Sequence, residues 1–188
     1  MSRARTGTTA IFAALASTAL AQSAGAVERE HHLGGDVGGS VLVIGNKSTP
    51  DVGGGVGAHW KYGLSDDLDL MAEGAWSLVA PGQTGGPRTP GTYPAWVANA
   101  DVGVGYVLDV LRWVPYVGVL AGGYALAGGT VDGAKVLPGG AVALGLDYRF
   151  DRHLAGGVAV REHVLFTQIS TYPSFMQAFA RVEYTWGW

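Results

Sequence analysis

Eight segments of period-two alternation, short polar turns alternating with longer Gly/Pro-rich loops, and abundant glycine and aromatic residues predict an all-β fold. The class is an eight-stranded antiparallel up-and-down transmembrane β-barrel, preceded by an N-terminal signal peptide. The 188 residues include 31 Gly, 6 Trp and 8 Tyr, yet only 14% are charged. Glycine at that density argues against long helices, where each costs about 1 kcal/mol relative to Ala. It suits a curved wall in which neighbouring backbones approach closely.

The N-terminus has the pattern of an export signal. Arg3 and Arg5 supply a basic start, Ala10 to Ala16 and Thr18 to Leu20 a short apolar stretch, and Ala19-Leu20-Ala21 a small-residue cleavage site. A signal peptide over 1–21 is expected, with an alternative cut after Ala26, followed by a barrel domain over 22–188. The stretch is too short and Ala-rich for a spanning helix, which needs roughly 20 strongly apolar residues. Its removal leaves 10 Lys+Arg against 15 Asp+Glu, a formal net charge of −5. Nucleic acid is therefore not an expected partner, since phosphate neutralisation needs a basic face. With no cysteine there is neither a disulfide framework nor a lipid-modified N-terminus.

The strands follow in order. Leu33, Gly35, Val37, Gly39, Val41 and Val43 share one face of the first, with Asp36 and Ser40 on the other. After a loop from Gly45 to Asp51, the second sets Val52, Val56, Ala58, Trp60 and Tyr62 against His59 and Lys61. Ser65-Asp66-Asp67 turns the chain into the third, where Leu68, Leu70, Ala72, Trp76 and Leu78 oppose Asp69, Glu73 and Ser77. Pro81 to Pro94 holds four prolines and cannot be a central strand.

The fourth strand sets Trp96, Ala98, Ala100, Val102, Val104 and Tyr106 against Asn99 and Asp101. A turn near Asp109 to Arg112 leads to the fifth, Val114 to Leu126, whose face carrying Tyr116 and Tyr124 is taken as outward. Gly128 to Pro138 reads as a loop. The sixth opposes Val142, Leu144, Leu146, Tyr148 and Phe150 to Asp147 and Arg149, then turns at Asp151-Arg152-His153. In the seventh, Leu154, Val158, Val160, Val164 and Phe166 face away from Arg161 and His163. The eighth, after a loop from Gln168 to Ser174, sets Met176, Ala178, Val182, Tyr184, Trp186 and Trp188 against Gln177, Arg181 and Glu183.

Alternation alone does not say which face is outside; a soluble lipocalin-like binding barrel has the same period with an apolar interior. Three observations favour the apolar face outward, in lipid. Long loops lie at one end only. Rings gather at strand ends: Trp60, Tyr62, Tyr106, Tyr148, Tyr184, Trp186 and Trp188 at the short-turn end, Trp76 and Trp96 at the loop end, as two interfacial girdles require. Strand charges fall on the opposite face, with Glu162 as the exception. The inward set is Asp36, His59, Lys61, Asp69, Glu73, Asn99, Asp101, Asp147, Arg149, Arg161, His163, Gln177, Arg181 and Glu183. Eight strands leave an interior just wide enough to fill with side chains. Mixed charges there are expected to pair into a polar plug.

The last strand, Ala180 to Trp188, resembles the C-terminal signal of outer-membrane barrels, alternating and ending on an aromatic ring. Arg112-Trp113-Val114-Pro115-Tyr116-Val117-Gly118 and Leu144-Gly145-Leu146-Asp147-Tyr148-Arg149-Phe150 resemble strands flanking periplasmic turns in small OmpA/OmpW-like barrels. The resemblance implies residence in the outer membrane of a Gram-negative bacterium, contact with membrane lipid and lipopolysaccharide, and insertion by the barrel-assembly machinery. No peptidoglycan-binding domain of the OmpA kind is expected. The implied role is structural or surface-interacting, with the loop partner open; the alternative is an OmpW-like conduit for small apolar solutes.

No catalytic residue, cofactor or metal site is expected. His163 and Glu162 are strand neighbours and face opposite sides, and Ser170 lies in a loop. His31-His32 diverge for the same reason and read as a solvated N-terminal segment. Gly53-Gly54-Gly55 lacks the Lys and following helix of a phosphate loop.

Overall fold

The computed structural model describes residues 29–45, 48–80, 90–109 and 112–187. The signal-peptide segment, most of the Pro81–Pro94 loop and Trp188 lie outside these residues. Eight strands run as β1 (His31–Val43), β2 (Asp51–Gly63), β3 (Leu68–Ala80), β4 (Trp96–Val107), β5 (Trp113–Gly128), β6 (Val131–Arg149), β7 (Leu154–Leu165) and β8 (Ser174–Trp186). Each pairs antiparallel with its chain neighbours, and β8 returns to β1, closing the barrel. At the seam His31 faces Trp186, Asp36 faces Arg181 and Val43 faces Ser174. Closure leaves no free edge along the wall, so each strand's backbone groups find partners without water.

The burial pattern is that of a soluble protein turned inside out. Val37, Val102 and Val119 are 61–62% exposed, whereas Asp36, Lys61, Arg161, Arg181 and Glu183 are buried. A soluble lipocalin-like barrel would have the reverse arrangement. The outward valines instead need an apolar surrounding.

Three sequence expectations are corrected. The tyrosine face of β5 points inward: Tyr116 is 5% exposed and Tyr124 is fully buried, while Val117 and Val119 face out. Both faces of β5 are largely apolar, so alternation could not orient it; the tyrosine hydroxyls find polar partners only inside. The Tyr116 ring lies over Gly145 of β6, where a Cβ would collide with it. The segment from Gly128 to Pro138 is not a loop. β5 and β6 continue past the rim as a hairpin closed at Gly129-Thr130, with Gly128 and Gly129 at φ 73° and 64°. Those positive φ values are readily adopted by glycine. Finally, His31 and His32 are not a solvated segment but begin β1.

Among the described residues, aromatic rings meet at the short-turn end. His31 stacks on Trp186 with centroids 5.4 Å apart, and Trp60 stacks on Tyr62 at 6.2 Å. Trp113 joins this end, edge-on to Tyr148 at 4.9 Å. In the β6–β7 turn the backbone N–H groups of His153 and Leu154 donate to Asp151 Oδ1 at 2.7 and 2.9 Å. Those two donors hold the Asp151 carboxyl below the ordinary carboxylate range.

Candidate functional site

The polar residues of the interior form layers stacked along the barrel. Nearest the short turns, His32 Nδ1 lies 3.1 Å from Glu183 Oε1 and 3.0 Å from Thr185 Oγ1. Lys61 Nζ sits between Glu183 Oε2 at 3.0 Å and Asp147 Oδ2 at 3.3 Å. Arg181 donates to the Tyr116 hydroxyl and reaches Glu183 Oε2 at 3.4 Å. His59 spans two acids, with Nδ1 3.0 Å from Asp36 Oδ1 and Nε2 3.3 Å from Glu183 Oε2.

Arg161 is fully enclosed. It donates from Nη2 to Asp36 Oδ2 at 2.9 Å, and its Nε lies 2.8 Å from Glu73 Oε2, close but poorly aligned for a hydrogen bond. The next layer is uncharged apart from Asp101. Asn99 donates to Asp101 Oδ2 at 2.7 Å, and Gln177 Nε2 donates to Ser77 Oγ and Asn99 Oδ1, both at 3.2 Å. His163 bridges Gln177 Oε1 at 3.0 Å and the Tyr124 hydroxyl at 2.9 Å. The inward set named from the sequence is thus brought together almost entirely. Arg149 is the exception: it stands at the short-turn mouth, 28% exposed, paired with Asp109 Oδ2 at 2.8 Å.

Above His163 the character changes. Leu42, Ile44, Val79, Tyr93, Val97, Leu126, Leu165, Tyr172 and Phe175 pack into an apolar cluster across the loop end, with Tyr124 at its base. Three of its members, Ile44, Tyr93 and Tyr172, lie outside the strands. The Tyr172 hydroxyl donates to the Thr92 carbonyl at 2.8 Å, and Tyr93 N donates to Thr130 Oγ1 at 3.0 Å, tying three loops together. Burial pushes the Tyr172 phenol above its ordinary range. Sequence reasoning missed this lid, as it missed His32, Tyr116 and Tyr124 as interior partners. A signal for the lid was present: alternation fails at the loop ends, where Val41-Leu42-Val43-Ile44, Leu78-Val79 and Val164-Leu165-Phe166 are apolar on both faces.

A charged interior inside a closed apolar wall defines a transmembrane-type β-barrel of eight strands. Comparison with solved structures places the fold more narrowly. Neisserial surface protein A aligns at a TM-score of 0.61 and 12% identity, over 86% of this chain and 99% of that one. Ail, the attachment invasion locus protein of Yersinia pestis, aligns at 0.55 and 12%, over 85% and 99%. The outer membrane protein OprG of Pseudomonas aeruginosa aligns at 0.53 and 11%, over 86% and 97%. No protein-family model and no curated protein sequence matches the chain. The chain therefore has the fold of the eight-stranded, OmpA/OmpW-like outer-membrane barrels.

Proposed function

We propose that the protein is an integral barrel of the Gram-negative outer membrane, a non-conducting scaffold that holds its loops at the cell surface. In this orientation the short turns face the periplasm. Membrane lipid and lipopolysaccharide surround the wall, and the barrel-assembly machinery inserts it; no enzymatic role is assigned.

The observation that carries the reading is the succession of buried side chains along the interior. A solute entering from the loop end meets the Tyr93/Tyr172 lid, then the His163–Gln177–Asn99 layer, then the Arg161 and Arg181 ion pairs. Transport would require breaking buried charge pairs, each costing several kcal/mol. An OmpW-like conduit for small apolar solutes finds apolar side chains at the loop end, but they pack on one another: Leu42, Val97 and Phe175 are fully buried.

Planar-bilayer recording tests the reading. Pure refolded protein should give no reproducible conductance steps above the lipid baseline. Steps of constant size that scale with protein added would contradict the closed interior.

A further inference from the structure

One side chain breaks the rule of the outer wall. Among the described strand residues pointing outward between the two rims, Glu162 is the one carboxylate; His31 and the outward tyrosines belong to the short-turn aromatic girdle. Glu162 faces Val142 on β6 and Met176 on β8, and Val160 and Val164 flank it along β7. Ser174 Oγ donates to its Oε1 at 2.6 Å. Among the described residues that is its polar contact, so Oε2 has no protein donor. Ser174 is the first residue of β8 and faces Val43, the last of β1, so the carboxylate reaches the loop-end rim of the lipid-facing wall.

A carboxylate in that place is a demand for donors, because an ionised acid only accepts hydrogen bonds. An ionisable group facing lipid is costly and marks a specific contact. Glycerophospholipids offer ester carbonyls at this level, which are acceptors and cannot satisfy it. Glycolipids with amide-linked, hydroxylated acyl chains present N–H and O–H donors there, just below the sugar headgroup. A second copy of this chain fits poorly: two Glu162 carboxylates would repel, and the outward strand positions described carry no Lys or Arg between the rims.

We infer that Glu162 and Ser174 form a docking point for one molecule of the lipopolysaccharide class, bound through amide or hydroxyl donors at the base of its sugar. The inference rests on the membrane reading above, with the loop end in the outer leaflet.

The test compares wild type and Glu162→Val in phosphatidylcholine vesicles, with and without lipopolysaccharide, by heat-modifiable gel mobility and by glycolipid retained after detergent washing. In phosphatidylcholine alone, E162V should melt at or above the wild-type temperature, since it removes a charge from the lipid face. With lipopolysaccharide present, wild type should gain more thermal stability than E162V. It should also retain about tenfold more glycolipid, the equivalent of one charge-assisted hydrogen bond. Equal retention and equal gain would overturn the inference. So would a lower melting temperature of E162V in phosphatidylcholine alone, which would make the Ser174 contact merely structural. Wild-type retention abolished by EDTA would replace direct donation with a divalent-cation bridge. Failure of wild type to insert into either vesicle would overturn the membrane reading, and this inference with it.

Discussion

Arg161→Met should destabilise the folded barrel by about 3–5 kcal/mol, the penalty for breaking a buried ion pair on one side. Arg161 is 1% exposed and neutralises Asp36 and Glu73, which come from β1 and β3. Methionine keeps the aliphatic stem but not the guanidinium, whose carbon lies 5.4 Å from the Phe179 ring centroid; it leaves Glu73 without its cation and Asp36 with Arg181 Nε at 3.9 Å. The triple variant Arg161→Met, Asp36→Asn, Glu73→Gln separates the electrostatic part of the loss from the packing part. If unpaired charge is the cause, neutralising both acids should recover much of the stability, although His59 then loses its Asp36 partner. Urea titration in detergent micelles, read by heat-modifiable mobility, measures both. A triple variant no more stable than the single would assign the loss to packing.

The second large effect is on the opposite surface of the wall. Val56 sits mid-strand on β2, 55% exposed, between Val37 of β1 and Trp76 of β3. Val56→Arg should cost about 2–4 kcal/mol in a bilayer, as arginine does near the midplane of such barrels. The same change should cost far less in a soluble barrel, where an exposed valine meets water. Val158, 57% exposed and facing Leu146 and Ala180, should respond in the same way. Stability of both variants, measured by urea-induced unfolding from lipid vesicles, gives the comparison.

Much of this architecture is legible in the chain because alternation is a strong signal where the two faces differ. Asp36, Lys61, Arg181 and Glu183 each stand between apolar or small neighbours, and one residue of slip would drive them into lipid. Their parity therefore fixes both register and face. β5 was opaque for the converse reason. Tyr116, Leu120 and Tyr124 alternate with Val117, Val119 and Ala121, and no charge distinguishes the sets. Only the positions of Arg181 on β8 and His163 on β7 decide that the tyrosines turn inward, and these partners are 65 and 39 residues away in sequence.

The extended hairpin was hidden by Gly128, Gly129, Gly133 and Pro138, which suggest a loop when met in sequence. Gly133, at φ 72°, lies within the register shift between Leu126 and Gly128, and the pairing survives around it. Pro138 is tolerated because its missing N–H falls at the rim, where its carbonyl accepts from Phe166 N at 3.0 Å. The lid depends on tertiary packing in another sense. Tyr93 and Tyr172 lie in loops with no period to interpret, and only the fold brings them over the barrel mouth.

The central claim is that the apolar face of the closed wall meets lipid while the charged face is enclosed. Because the chain has no cysteine, single cysteines at Val56, Val158, Asp66 and Asp132 can each carry one environment-sensitive fluorophore. After refolding into vesicles, mid-chain quencher lipids should extinguish the labels at positions 56 and 158, and aqueous iodide should not reach them. Labels at position 66, in the β2–β3 turn, and position 132, near the tip of the projecting hairpin, should behave in the opposite way. Labels at 56 and 158 that are open to iodide and untouched by the lipid quencher would contradict the claim and leave a barrel that does not span the bilayer.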